Sequence, residues 1–236
     1  MTEPRIDLVH VDERLAVVDK PAGLVVHAAP GVRGPTLVDL LGDLLGGGEA
    51  TRTGIVHRLD KDTSGLMVVA RDPEAHRRLA AIVKARKIER TYLALVEGHP
   101  RSRSGTIDAP LGRDYRAPEK RAVGGRGRRQ ARTHFTVLER LPGAALLEVR
   151  LETGRTHQIR VHLAAIGHPV AGDARYGRGG TFGLQRQFLH SARLAFRHPF
   201  TDEDLDLRSE LPPDLAEALT TVRSLESATQ SQPTPR

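Results

Sequence analysis

The residues best suited to chemistry lie in one short segment, His57–Gly65, which reads HRLDKDTSG. Two carboxylates, Asp60 and Asp62, are followed by two hydroxyls and a glycine, and the apolar run after them predicts a strand. Loops between rigid elements are the usual place for reactive groups. Three interpretations compete: a calcium loop, a phosphoryl-transfer site with magnesium, and one carboxylate that acts without a metal.

The calcium interpretation fails on spacing. An EF-hand loop begins with a similar alternation of oxygen ligands, but its twelfth position supplies a bidentate glutamate. Counted from Asp60, that position is Arg71, and the flanking segments are strand-like rather than helical. The sequence therefore excludes an EF-hand.

A magnesium-dependent phosphohydrolase of the haloacid dehalogenase type also places an Asp directly after a strand. Here Asp60 would be the nucleophile and Asp62 a further carboxylate. The preceding residues include His57 and Arg58, so they do not form a wholly apolar strand, and no closely spaced acidic pair follows downstream, where Asp173 stands alone. This alternative stays open.

A metal-free carboxylate needs a partner that keeps it ionised and cations that hold an anionic polymer. The segment Thr153–His162, which reads TGRTHQIRVH, supplies both. Apolar periodicity predicts a helix over 156–166 with Gly167 as its C-cap, and it places His157 and Arg160 together on a polar face. The two histidines of this segment are five residues apart, whereas a helical zinc pair is four apart, so a metal is disfavoured.

Composition restricts the function classes further. The 236-residue chain contains no Cys, which excludes disulfides, thiolate catalysis and Cys-based metal sites. The polar N-terminus is unlike a signal peptide, and no apolar run approaches the ~18–20 residues of a membrane helix. We therefore expect a cytoplasmic, monomeric protein that does not enter a membrane.

The net charge of +7 comes from one segment. Residues 101–132 contain ten Lys or Arg and three Asp or Glu, whereas the rest of the chain contains 26 of each. With its glycines and weak apolar periodicity, this segment is interpreted as a mobile basic loop. Such a loop suits a polyphosphate backbone, which predicts that Arg126, Arg128 and Arg129 contact RNA. A solubilising surface loop is the alternative.

The remaining pattern predicts an α+β fold with a mixed, mainly antiparallel sheet and flanking helices. Strands are expected at 15–18, 24–26, 65–70, 91–96, 133–139, 145–151 and 192–196. Helices are expected from Thr36 to Leu45, from Pro73 behind an Asp72 cap, and from about Pro213. We predict one catalytic domain over residues 1–222 and a disordered tail over 223–236.

Several motifs together resemble the RluA-type pseudouridine synthase family. They are HRLDKDTSG at His57–Gly65, RTYLALVEG at Arg90–Gly98, GRTHQIRVH at Gly154–His162 and HPVAGD at His168–Asp173. DKPAG from Asp19 and LHSARLAFRHP from Leu189 match flanking segments in the same order. The resemblance runs from about Val11 to Pro199. Many members carry an N-terminal S4-type RNA-binding domain, which this chain is expected to lack.

The resemblance implies an isomerase that converts uridine to pseudouridine in structured RNA without cofactor or metal. Asp60 is then the catalytic carboxylate, Arg160 its ion-pair partner and Tyr92 the residue that stacks on the uracil. Arg58 is expected to fill the space left by the flipped base. Further RNA contacts are expected from Arg155, His157 and Leu189. His57 and Asp62 are interpreted as structural, with Asp62 capping the turn after Asp60.

The RNA itself stays open at this point. Ribosomal RNA and transfer RNA both suit the resemblance, and the catalytic domain and its loops would have to supply the specificity. Besides the phosphohydrolase, a non-catalytic RNA-binding protein that keeps the same fold is the remaining alternative.

Overall fold

The computed structural model describes residues 5–28, 34–49 and 53–229. The chain divides into two compact units, and the single catalytic domain expected from the sequence stays a prediction. Unit 1 comprises residues 1–91 and 190–210, and unit 2 comprises residues 92–189 and 211–236. Two of the three divisions fall inside strands, β4 (Glu89–Glu97) and β11 (Leu189–Arg197), and the third follows Glu210.

Unit 1 is a mixed sheet with two helices. Its elements are β1 (Asp7–Val11), β2 (Leu15–Lys20), α1 (Leu37–Leu41), β3 (Ser64–Ala70), α2 (Pro73–Lys84), most of β11, and β12 (Asp204–Arg208). Neighbouring strands β1, β2 and β3 pair antiparallel, β3 pairs parallel with the start of β11, and β12 pairs antiparallel with β11. The predicted mixed, mainly antiparallel sheet is therefore confirmed.

Buried apolar residues of β2, β3 and β11 form the core of unit 1, and α2 packs on it. Leu15, Leu66 and Leu194 are fully buried, and α2 adds Ala75 and Leu79. Asp72 caps α2 as predicted, since its carboxylate accepts hydrogen bonds from the first amides of the helix and Pro73 occupies the first helical position.

Two predictions for this region were wrong in their extent. Thr36 does cap a helix and forms a capping box with Asp39, but α1 ends at Leu41 and a 3-10 turn follows. Residues 24–26 are not a strand, because the carbonyls of Val25 and Val26 accept hydrogen bonds from the first two amides of α1. β1 and β12 were not predicted.

Unit 2 contains a second antiparallel arrangement. Its strands are β4 (from Tyr92), β5 (Ser104–Asp108), β9 (Arg132–Leu141) and β10 (Ala144–Leu151), in the order β4-β10-β9-β5. The strands predicted at 133–139 and 145–151 are confirmed as the antiparallel hairpin of β9 and β10, with its turn at Pro142–Gly143. Its helices are α3 (Gln158–Ala165) and α4 (Pro213–Thr229).

The basic segment 101–132 is not a loop. It begins with β5 and then forms a separate three-stranded sheet of β6 (Leu111–Arg113), β7 (Arg121–Val123) and β8 (Arg126–Arg129), here called the basic sheet. Its glycines allow close approach of strands rather than mobility. A Cβ on Gly112 would lie 2.2 Å from the carbonyl oxygen of Gly125, and one on Gly125 would lie 2.4 Å from that of Arg113.

The disordered tail predicted from residue 223 was also wrong as far as Thr229. α4 continues to that residue, and its buried face consists of Leu215, Ala218, Leu219 and Val222. Arg223 forms an ion pair with Glu139 of β9, with Nη2 and Oε2 2.6 Å apart. Residues 230–236 lie outside the described part of the chain.

Gly65 provides a test of the packing at the start of β3. It has a φ of 109°, and an added Cβ would lie 2.3 Å from the carbonyl oxygen of Ser191 on β11. Because backbone must shift to relieve this contact, we expect Gly65→Ala to lower the free energy of unfolding by about 2–5 kcal/mol in urea denaturation. Gly23→Ala is the control: φ is 82° but the space is open, so a loss of only about 1–2 kcal/mol is expected. Equal losses would contradict the close-packing explanation.

Candidate functional site

In unit 1, Asp60 lies on a short connection between the buried Leu59 and strand β3. Its side chain is partly buried. The carbonyl oxygen of Asp60 accepts a hydrogen bond from the Thr63 amide at 3.2 Å, which closes a turn through Lys61 and Asp62. The predicted turn after Asp60 is thus present, while the capping role of Asp62 stays a prediction.

A buried lysine holds this turn from behind. Lys20 is fully buried at the end of β2, and its Nζ donates to the carbonyl oxygens of Pro21 (2.7 Å), Leu24 (2.9 Å) and Lys61 (2.9 Å). An ammonium group has three N–H donors, so these carbonyls offer an acceptor for each of them. The contact with Lys61 joins the Asp60 turn to the turn at Pro21–Gly23.

A chain of buried and partly buried polar groups fixes the start of β3. Ser64 Oγ lies 3.0 Å from His190 Nδ1, and His190 Nε2 lies 3.1 Å from Ser209 Oγ. The Ser209 hydroxyl in turn donates to the carboxylate of Asp19, the residue before Lys20. The two ends of the Asp60 turn are therefore anchored to β2 and β11 by hydrogen bonds rather than by apolar contact alone.

His57 is structural, as interpreted from the sequence. Its Nε2 accepts a hydrogen bond from the Val68 amide of β3 at 3.1 Å, so the remaining proton of the neutral ring is on Nδ1. Nδ1 is sealed from solvent and has no hydrogen-bond partner among the described residues. Burial, together with the positive charge of Arg90, lowers the pKa of His57 to about 3.

Arg58 is exposed, and its Nη1 lies 3.5 Å from Nε2 of the buried His27. A strand through residues 58–60 would place Arg58 and Asp60 on the same side. Residues 58–60 do not form a strand, yet Leu59 between them is buried and its two neighbours are more accessible. Both functional candidates of unit 1 therefore lie on the accessible side of this segment.

In unit 2, Arg160 of α3 forms a buried ion pair with Asp173. Nε and Nη2 of the guanidinium lie 2.6 and 2.9 Å from the two carboxylate oxygens. Burial by itself raises the pKa of Asp173, but the Arg160 hydrogen bond and charge and the amides of Arg175 and Tyr176 outweigh it, so the pKa is held below its ordinary value. The sequence analysis did not predict this pair.

The prediction for the start of α3 was wrong by two residues. The helix begins at Gln158, and His157 precedes it in a left-handed conformation with φ 58°. His157 therefore does not share a helix face with Arg160. Its Nδ1 instead lies 2.7 Å from the hydroxyl of Tyr176, and the two rings meet edge to face.

The buried side chain of Gln158 organises the loop before α3. Its Oε1 accepts hydrogen bonds from the Thr153 hydroxyl and the Arg155 amide, and its Nε2 donates to the Arg132 carbonyl. Arg155 itself is exposed, and its Nε donates to the carbonyl of Gln130, just after β8. His162, the other histidine of this motif, is fully buried between Thr133 and Ala109.

The other candidates of unit 2 differ in exposure. Tyr92 and Leu189 are buried. Tyr92 lies in the middle of β4, and Leu189 is the first residue of β11. Arg126, Arg128 and Arg129 are exposed along β8. The structure therefore places Arg58 and Asp60 in unit 1 and the other candidates in unit 2. The expected pairing of Asp60 with Arg160, and the role of Tyr92 beside it, stay predictions.

Four residues that organise these segments were not singled out from the sequence: Lys20, Gln158, Asp173 and Tyr176. Lys20, Gln158 and Asp173 lie inside the quoted motifs, so their positions were visible, but nothing local indicates which groups they bind. Among the described residues, no cluster of three or more His, Asp or Glu side chains is arranged to hold a metal ion. No helix in this part of the chain is both long and apolar enough to cross a membrane.

Comparisons with known proteins agree with the sequence motifs. Residues 14–165 match the family described as RNA pseudouridylate synthase. The chain is 47% identical to the ribosomal large subunit pseudouridine synthase D of Zymomonas mobilis, covering 89% of this chain and 70% of that protein. It is 45% identical to the protein of the same name from Nitrosomonas europaea, covering 94% and 67%. The human protein RNA pseudouridylate synthase domain containing 4 has a TM-score of 0.74 at 26% identity, covering 92% of both chains.

The sequence matches and the shared fold define an RNA-modifying isomerase. The chain belongs to the RNA pseudouridylate synthase family, so the family and the activity class expected from the motifs are confirmed. The fold expected from the resemblance is confirmed by the human structure and by the mainly antiparallel strands of both units.

The enclosed ring of His57 predicts a pH dependence of stability. Between its folded pKa of about 3 and its ordinary pKa of 6.5, the unfolded chain binds a proton that the folded chain does not. This group therefore destabilises the fold as pH drops below 6.5, by about 1.4 kcal/mol per pH unit. We measure the free energy of unfolding by urea denaturation from pH 7 to 4. For His57→Gln, we expect the slope of this free energy against pH to be smaller than in the wild-type protein by about that amount. Parallel curves for the two proteins would contradict it.

Proposed function

We propose that this protein isomerises uridine in ribosomal RNA of the large subunit, with Asp60 as the catalytic carboxylate. The observation that carries the proposal is the Asp60 turn, which a buried lysine and a chain of polar groups hold in a member of the RNA pseudouridylate synthase family. These contacts fix the main chain that carries the Asp60 carboxylate, and a reaction at a single sugar carbon requires such positioning.

The reaction breaks the N1–C1′ bond of uridine and joins C1′ to C5 of the same base. The proton on C5 is lost and N1 gains a proton, so the atoms balance without a cofactor. Asp60 acts at the sugar, either by attack on C1′ or by removal of a sugar proton. In both routes the carboxylate must be ionised, which is the role we assign to the positive charge of Arg160.

The other candidates receive roles that follow from their chemistry. Tyr92 stacks on the uracil and helps to remove the C5 proton. Arg58, which is exposed near Asp60 in the sequence, fills the space that the flipped base leaves, at a cost of about a few kcal/mol for unstacking. Arg155 and His157 precede α3 and contact the RNA backbone, and Leu189 packs near the base.

Ribosomal RNA is preferred to transfer RNA because of the relatives. Proteins from Zymomonas mobilis, Nitrosomonas europaea and Pseudomonas aeruginosa that are 44–47% identical to this chain carry the name ribosomal large subunit pseudouridine synthase D. Tritium release from 5-tritiated large-subunit and transfer RNA transcripts tests this choice. Release from the transfer RNA alone would overturn it.

Asp60→Asn tests the catalytic role. The amide is nearly isosteric but cannot attack carbon or take a proton, so we expect tritium release to fall by on the order of a hundredfold to ten-thousandfold. RNA binding should change little, and EDTA should have no effect on the wild-type protein. Asp43→Asn, an exposed carboxylate in the 3-10 turn after α1, is the control. Full activity of the Asp60 variant would reject Asp60 as the catalytic carboxylate, and loss of tritium release on removal of magnesium would contradict a metal-free reaction.

Arg126, Arg128 and Arg129 test the role of the basic sheet. If these exposed arginines contact phosphates, replacing all three by Gln lowers the slope of log Kd against log salt by about 2–3, since each contact contributes roughly 0.7–0.9. The control is Gln at Arg77, Lys84 and Lys87, three exposed cations in and just after α2. An unchanged slope in the first variant would remove the basic sheet from the RNA interface.

A further inference from the structure

Tyr176 occupies a junction between the basic sheet and helix α3, both in unit 2. Its hydroxyl oxygen accepts a hydrogen bond from the amide of Arg121, the first residue of β7, at 2.9 Å. The same hydroxyl lies 2.7 Å from Nδ1 of His157, which immediately precedes α3. One phenol group therefore links a strand of the basic sheet to the N-terminal end of the helix that carries Arg160.

The ring of Tyr176 makes the same connection through packing. It contacts a small buried cluster of Leu111 from β6, Ala131 from just after β8, and Val161 from α3. Its face also lies 5.2 Å from the guanidinium carbon of Arg160, a favourable cation–π distance. The side chain thus touches Arg160 directly as well as the two elements on either side.

A tight turn fixes where Tyr176 can lie. Asp173 Oδ1 accepts hydrogen bonds from the amides of Arg175 and Tyr176, and the Gly177 amide donates to the Asp173 carbonyl. A Cβ on Gly177 would lie 2.9 Å from Cβ of Pro169, so the turn has little room to shift. Asp173 is also the ion-pair partner of Arg160, so one carboxylate positions both the arginine and the tyrosine.

The phenol keeps its proton in this setting, because burial raises the pKa of Tyr176. Since its oxygen accepts from the Arg121 amide, the hydroxyl proton is the natural donor to Nδ1 of His157. This hydrogen bond also helps to hold His157 in its left-handed backbone conformation, which is unfavourable for a non-glycine residue.

We propose that Tyr176 is a positioning residue, which transmits RNA binding at the basic sheet to Arg160 and His157 in front of the reacting uridine. The proposal rests on the proposed function. When phosphates bind the basic sheet, the β7 main chain is ordered, and the hydroxyl of Tyr176 carries that order to the start of α3. Tyr176 itself does not touch the reacting atoms and is not a catalytic residue.

Tyr176→Phe separates this role from a structural one. The ring remains on its cluster and over Arg160, whereas the Arg121 amide and His157 Nδ1 both lose their partner. We expect tritium release at saturating RNA to fall about tenfold, while the RNA Kd changes by less than about twofold. Tyr115→Phe is the matched control, because Tyr115 lies between β6 and β7 and is 72% exposed. It should retain wild-type turnover at saturating RNA.

A double-mutant cycle tests the coupling itself. In the otherwise wild-type protein, the triple Gln variant of Arg126, Arg128 and Arg129 should lose turnover at saturating RNA as well as affinity. With Phe at position 176, the same three changes should lower affinity only, so the effects on turnover are not additive. Additive effects would overturn the coupling even if the single variant is slow.

The remaining outcomes are also decisive. If Tyr176→Phe lowers the midpoint of thermal unfolding but turns over RNA like Tyr115→Phe, the residue is structural and the inference is wrong. If the variant weakens Kd about tenfold with unchanged turnover, Tyr176 belongs to the binding surface instead. A wild-type protein that releases no tritium from any RNA would contradict the proposed function, not the coupling alone.

Discussion

A buried charge must be surrounded by groups that replace water, and this constraint shapes the segment around Asp60. Lys20 is fully buried, and three main-chain carbonyls replace its hydration. Burial of an ammonium group without hydrogen-bond acceptors would cost several kcal/mol. The Lys20 side chain can therefore be buried only where the three carbonyls surround its ammonium group. One of them belongs to Lys61, directly after Asp60. The position of the candidate catalytic carboxylate is therefore tied to the requirement that a buried lysine be satisfied, and not to the propensity of its own loop.

The same constraint acts independently in unit 2. Arg160 and Asp173 are buried together, and their bidentate geometry allows few orientations of either side chain. Removing one partner of such a pair typically costs about 3–5 kcal/mol because the other charge is left buried. Tyr176 is drawn into this arrangement through its amide and its ring. The motif Gly154–His162 was interpreted as a set of RNA-binding residues, but part of it forms contacts inside the protein. Besides Arg160, Gln158 and His162 are buried and belong to that part.

The elements that were predictable from the sequence are those whose cause is local. The capped start of α2 follows from Asp72. The hairpin of β9 and β10 follows from alternating apolar residues on both sides of Pro142–Gly143. The turn after Asp60 follows from Asp62, Thr63 and Ser64, which are residue types that favour turns. The basic segment was misjudged because charge and glycine are typical of mobile loops. Gly112 and Gly125 instead allow two backbones to approach closely, and only the partner strand reveals that. His157 was placed in a helix because apolar periodicity cannot detect a left-handed residue at its start.

The same distinction applies to the residues of the candidate site: some could be predicted from local motifs, and others depend on partners that are distant in the sequence. The long motifs in their expected order made it possible to name Asp60, Arg58 and Arg160. By contrast, the partners of Lys20, Asp173 and Tyr176 lie 13 to 55 residues away, and a local sequence pattern does not reveal such partners. Buried charges and polar chains cost stability relative to an apolar core of the same shape. Their presence at the Asp60 turn and at Arg160 is explained if position matters more than stability there. The rate of a reaction at one sugar carbon falls steeply when the carboxylate is displaced. The fold, in contrast, tolerates a free energy of unfolding that is lower by a few kcal/mol.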